Sequence, residues 1–180
     1  MTLRELDGTY TIDTTHSRVG FSARHAMVTK VRGAFNEVEG SATTGPDLQG
    51  AQVQVTMQAA SVDTRQADRD GHLKSADFFD VETYPTLTFR STEVAAVDAD
   101  TLRVTGDLTV KDVTRPITVD FEYAGSAQDP FGNTRIGFEG STDISRKDFG
   151  LTWNAALETG GFLVSDKVNL EFEISAIKAA

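Results

Sequence analysis

Three histidines and 27 carboxylates are the side chains in this 180-residue chain best suited to acid–base or metal chemistry. The densest grouping is RDGHLKSADFFDVETYP, residues 69–85, where His72 lies near Asp68, Asp70 and Asp77. On a helix Asp68 and His72 share a face at i,i+4. A histidine beside carboxylates can hold a divalent cation or relay a proton. The metal patterns HExxH and DxDxDG are absent, however, so neither zinc-peptidase nor EF-hand chemistry is indicated. His72 and Asp70 equally suit caps or hydrogen bonds where a helix meets a sheet, and this plainer reading is preferred. The alternative is a metal-assisted or acid–base enzyme using His72 and its neighbouring carboxylates.

Nucleophilic chemistry finds less support. His16, His25 and His72 are the only candidate bases, and no G-x-S-x-G elbow presents a serine. His16 and Ser17 are adjacent, but neighbours on a strand point to opposite faces. Neither G-x-G-x-x-G nor G-x-x-x-x-G-K-[ST] occurs, so no glycine loop is built for phosphates. The Gly160-Gly161 pair reads as a turn before the last strand. With no cysteine, thiolate catalysis, Cys-type zinc sites and iron–sulfur clusters are excluded. No catalytic residue, metal ligand or cofactor is assigned.

The elements that would position any site are mostly strands. Period-two alternation recurs along the chain. Val53, Val55 and Met57 oppose Gln52, Gln54 and Thr56, while Ile117, Val119 and Phe121 oppose Thr118, Asp120 and Glu122. Eight or nine strands follow, at about 8–13, 17–26, 30–44, 50–60, 86–97, 101–111, 114–125, 134–145 and 165–177. In 30–44 the apolar parity switches between Phe35 and Val38, which predicts a bulge near Gly33 or Asn36. Two stretches do not alternate. Residues 65–77 predict a short helix, capped by Asp63 or Thr64. Residues 145–165 hold the only Trp and predict a loop with a helical turn.

One domain is expected at this length, long enough to fold without disulfides. The net charge of −10 argues against phosphate-neutralising nucleic-acid binding and against electrostatic docking to an anionic membrane. No apolar run reaches the roughly 18 residues of a membrane span. The start, MTLRELDGTYTID, lacks a basic n-region and apolar h-region, so a cytoplasmic protein is expected. Strands with one apolar and one wet face close into a barrel or stack as a sandwich. An eight-stranded barrel can hold one small ligand, but periodicity alone leaves open whether the interior is filled or hollow.

An ordered set of short motifs decides more. Tyr10-Thr11-Ile12-Asp13 is followed by His16-Ser17, Val19, Phe21 and His25. Arg69-Asp70 and His72-Leu73 lead into Asp77-Phe78-Phe79-Asp80-Val81, Tyr84-Pro85 and Thr88-Phe89. Gly106-Asp107-Leu108-Thr109-Val110, Thr114-Arg115-Pro116, Arg146-Lys147-Asp148-Phe149-Gly150 and Val164, Asp166, Val168 complete the set, which spans about 8–177. The chain resembles the YceI-like family of lipocalin-like, polyisoprenoid-binding proteins. The resemblance implies an all-β fold, an extended eight-stranded antiparallel barrel with one short helical insert. It implies no catalysis, and a long-chain apolar lipid such as a polyisoprenoid or isoprenoid quinone held inside.

Parity then selects the lining of such a tunnel: Val19, Phe21, Phe35, Val53, Val55, Met57, Leu87, Phe89, Leu102, Val104, Leu108, Ile117, Val119, Phe121, Phe138, Leu170 and Phe172. Arg24, His25, Arg69, His72, Phe78 and Trp153 are expected near a rim, where they could meet a polar head group. A homodimer through an exposed strand or helix face is a further expectation.

Overall fold

The computed structural model describes residues 1–158 and 163–180; the predicted turn at Gly160-Gly161 lies outside them. The strands are β1 (Gly8–Ile12), β2 (Arg18–His25), β3 (Thr29–Phe35), β4 (Val38–Thr44), β5 (Gln52–Gln58), β6 (Val62–Asp63), β7 (Thr86–Ala96), β8 (Thr101–Val110), β9 (Val113–Gln128), β10 (Thr134–Ser145) and β11 (Val164–Lys178). One α-helix, α1 (Ala67–Lys74), sits between β6 and β7. It is shorter than the predicted 65–77.

The eleven strands form one sheet that closes because β1 pairs with both β4 and β11. Beyond β1, β11 runs on against β2. Similarly, β3 and β4 lie end to end, as do β5 and β6. The result is an antiparallel up-and-down barrel of eight long staves: β1/β2, β3/β4, β5/β6, β7, β8, β9, β10 and β11. Closure pairs most of the ring on both sides; β6 ends the strand order, and β3 meets it only through Ala34 and Phe35.

The breaks in the composite staves have local causes. Between β1 and β2, the Asp13 carboxylate accepts from the Thr15 N–H at 3.0 Å and turns the chain aside. Ser17 returns it to the sheet: its hydroxyl donates to the Ser175 carbonyl at 3.1 Å and accepts from the Ser175 N–H at 2.9 Å. A side chain thus replaces the missing rung. In the next stave the parity change falls at Asn36 and Glu37, between β3 and β4. Gly33, the other predicted position, stays inside β3.

Helix α1 is polar and none of its residues is fully buried, so packing, chiefly through Leu73, is only part of what holds it. Gln66 caps it by accepting from the Arg69 N–H, not Asp63 or Thr64 as predicted. Asp63 instead accepts from the Arg65 N–H at 2.8 Å. Thr64 donates its N–H and its hydroxyl to the Asp70 carboxylate, at 2.8 and 2.5 Å. Arg69 donates to the Thr64 hydroxyl at 2.7 Å and carbonyl at 2.8 Å. Arg69 and Asp70 therefore clamp the helix to the end of β6. Leu73, Phe79 and Val81 then pack on the barrel.

The buried core divides in two. One cluster gathers Leu3, Leu6 and Leu48, from single 3-10 turns at one end, with Tyr10, Val104 and Ile136. The other gathers Phe35, Met57, Leu87 and Phe149 at the α1 end. Phe89 touches both.

Candidate functional site

Between the two clusters the barrel encloses a cavity of about 310 Å³. Its walls come from alternate residues of nearly every stave. All the residues selected by parity, from Val19 and Phe21 to Leu170 and Phe172, sit on these walls. They come together because the strands alternate with a period of two, and breaks in register absorb the parity changes: one at Asn36–Glu37, and a bulge at Ser91–Glu93 that turns the lining of β7 from Leu87 and Phe89 to Val94.

Glycines keep the lumen open. Gly33 is the direct partner of Phe21, and the Phe21 ring lies against it. A Cβ on Gly33 would stand 2.5 Å from Phe21 Cζ. Gly140 faces Phe121 in the same way, at 2.8 Å from Cδ1. Gly106 lies beneath Phe89, where a Cβ would meet the ring at 2.5 Å and collide with the Arg90 carbonyl oxygen. Each missing side chain lets a phenyl ring lie back against the wall.

Sequence reasoning missed part of the lining. Tyr10, Ile136, Ile174 and Ala176 keep the inward parity of their strands and were legible in that pattern. Leu6, Leu48, Leu73 and Leu151 reach in from turns, the helix and a loop, where no alternation marks them.

Arg146 is the most consequential omission. Among the described residues it is the one charged side chain lining the cavity, and it is only 3% exposed. It opens the single 3-10 turn Arg146–Phe149 after β10. Its Nε donates to the Ser165 carbonyl at 2.8 Å, and one terminal nitrogen donates to the Leu151 and Trp153 carbonyls at 2.6 and 2.8 Å. The other donates to the Val164 carbonyl at 3.3 Å. Burial pushes the guanidinium below its ordinary pKa, and the nearby Asp166 charge opposes that. Arg146 thus pins residues 151–153 to the start of β11. The signal was a charged residue three positions before Phe149, itself 2% exposed.

The residues expected at a rim divide. His72, Phe78 and Trp153 meet at the α1 end, with ring centroids 5.1 Å apart for His72–Phe78, 4.6 Å for His72–Trp153 and 5.4 Å for Phe78–Trp153. His72 Nε2 bonds Asp77 at 2.8 Å, not the Asp68 that helical spacing offered. Arg69 is engaged with Thr64. Arg24 and His25 are exposed at the end of β2. Among the described residues, no hydrogen bond, ion pair or ring contact joins those two to the His72 cluster. At His16, Nδ1 alone meets both Thr15 and Asp13, at 3.0 and 2.7 Å. A proton relay would need one partner on each ring nitrogen.

Similarities to known proteins bear on this site. The model of a family described as YceI-like domain matches residues 10–176. A UPF0312 protein from Vibrio cholerae is 39% identical over 145 residues, covering 79% of this chain and 77% of that one. The crystal structure of BcnA from Burkholderia cenocepacia superposes with a TM-score of 0.79 at 25% identity, over 91% of this chain and 98% of that one. A polyisoprenoid binding domain from Saccharophagus degradans has the same fold, with a TM-score of 0.74 at 20% identity over 94% and 98% of the two chains.

Proposed function

The chain belongs to the YceI-like domain family, and from that membership and its apolar lumen we propose that it binds one long apolar molecule, a polyisoprenoid or the tail of an isoprenoid quinone, for carriage, storage or sequestration. The observation that carries this reading is the character of the cavity. It is walled by aliphatic and phenyl groups, and its one charged lining residue is committed to four carbonyls. A polar substrate would lose its hydration there and find few partners. The polyisoprenoid named for the Saccharophagus domain is the kind of molecule such a lumen suits.

Its shape favours a chain. On β8 the lining runs from Leu102 to Val110, about 27 Å along the strand and roughly 20 Å along the barrel axis at ordinary strand tilt. A volume of about 310 Å³ drawn out along such a wall suits a slender chain better than a compact ring system. Burying a five-carbon prenyl unit yields about 4 kcal/mol gross at roughly 0.8 per CH₂. Association costs roughly 4–15 kcal/mol. Several units are needed for tight binding, so affinity rises with chain length until the lumen is full.

Native mass spectrometry before and after organic extraction tests the reading. Protein from its own host should lose the mass of one lipid, and the extracted protein should quench Trp153 fluorescence when given prenols or quinones. Phe89→Asp, which places a carboxylate on the wall, should abolish that uptake. Protein that carries no lipid and takes up neither prenols nor quinones would refute it.

A further inference from the structure

The acidity of this chain is unevenly spread. Between Asp13 and Glu37 there is no carboxylate, although Arg18, Arg24, Lys30 and Arg32 all lie there. This stretch is the β2–β3 hairpin, and its tip carries three local costs. Val28 N–H closes the turn on the His25 carbonyl at 3.1 Å, with Ala26 at φ 50° and Met27 at φ 66°. Two positive φ values in succession are the type I′ signature, for which Asn-Gly is the unstrained choice. Met27 and Val28 are 66% and 73% exposed, so their own side chains contribute little packing, while Ala26 N–H ties the turn to the Leu163 carbonyl at 2.8 Å. Arg24 and Lys30 are direct cross-strand partners, both exposed. Like charges so placed repel, and among the described residues neither has an ion-pair partner.

We propose that this hairpin tip docks on an anionic lipid bilayer. Met27 and Val28 enter the headgroup region, and Arg24 and Lys30 face the headgroup charges. One surface relieves two of these costs, burying the two apolar side chains and neutralising the two cations, and it gives the strained turn that presents them a use. The net charge of −10 argues against docking of an evenly charged chain, but the charge here is unevenly spread. Much of it lies in an outer groove holding Asp98, Asp100, Asp120, Glu122, Glu139, Glu171 and Glu173, with Arg18 among them. On β11 and β10, Asp166 accepts from Ser145 Oγ and Lys147 N–H, and Asp143 pairs with Lys167. The inward face of β2, through Val19, Phe21 and Ala23, lines the cavity up to this tip. The inference rests on the proposed function, since a ligand insoluble in water must be collected from a bilayer.

Flotation of extracted, lipid-free protein with prenol-free vesicles is the test. The protein should float with vesicles of phosphatidylcholine and phosphatidylglycerol in equal parts, not with phosphatidylcholine alone, and salt should release it. Lys30→Glu turns the repulsion with Arg24 into an ion pair, so the hairpin should hold, yet partitioning should fall roughly thirtyfold for two units of charge. The Ala26→Asn/Met27→Gly double variant relaxes the turn and should reduce partitioning roughly tenfold. No flotation with either vesicle, or flotation that neither variant changes, overturns the proposal. So does a change of oligomeric state in the double variant without a change in flotation, which would make the tip a contact between copies. Prenol uptake from detergent micelles, measured in parallel, reads the lumen alone and keeps failure of lipid binding distinct from failure of docking.

Discussion

Gly33 shows how one residue sets the width of the lumen. An added methyl would meet only side chains, Phe21 at 2.5 Å and the Thr64 methyl at 2.9 Å. The backbone could stay while the ring swings inward. Gly33→Ala should therefore lower stability by about 1–3 kcal/mol and weaken ligand uptake. Replacing Phe21 with Leu in that background should recover part of the loss, since contacting pairs couple by roughly 0.5–3 kcal/mol. Urea unfolding of the two single variants and the double variant measures the coupling. Simple additivity would mean that the glycine serves the backbone, not the ring.

Charge acts between elements. Arg135, at the start of β10, donates to Asp13 beyond β1 at 2.5 Å and to Asp129 in the β9–β10 turn at 2.8 Å. These bonds, with those from Thr15 and His16, hold the Asp13 carboxyl well below the usual carboxylate range. Asparagine 133 leads in lowering Asp129, to about 2, and Arg135 adds to it. A depressed folded-state pKa adds stability above the unfolded value and loses it as pH falls through the folded one. Stability should thus decline from about pH 4 toward pH 2. Arg135→Gln should flatten that acid limb and lower the plateau above it. Urea midpoints measured across this range check the slope; an unchanged limb would assign acid sensitivity to other carboxylates.

At the scale of the whole molecule, the closed ring and the hollow between its two core clusters oppose each other. Closure joins the eight staves into one ring, while the lumen forgoes packing between opposite walls. A ligand that supplies those contacts stabilises the folded state in proportion to its occupancy. At a hundred times its dissociation constant, a prenol should add about 2.7 kcal/mol and raise Tm by roughly 5–10 °C. Calorimetry of extracted protein with and without prenol reads this directly. A Tm that ignores saturating prenol would contradict binding in the lumen.

Alternation along each strand made the all-β class, most strand positions and the inward residues legible without coordinates, because a period of two encodes two faces. The non-alternating stretch 69–85 was equally legible as the place where the sheet stops. Its chemistry was not. Asp68 and Asp77 are both close to His72 in sequence, but the turn after α1 decides that Asp77 bonds it, and Trp153 arrives from 81 residues away. Closure, the stacking of β1 on β2, and Arg146 beneath the loop depend on contacts between distant segments. Local pattern therefore determined which residues could face inward. Only the tertiary structure decided that they surround a hollow, because a cavity is a property of how opposite walls are spaced.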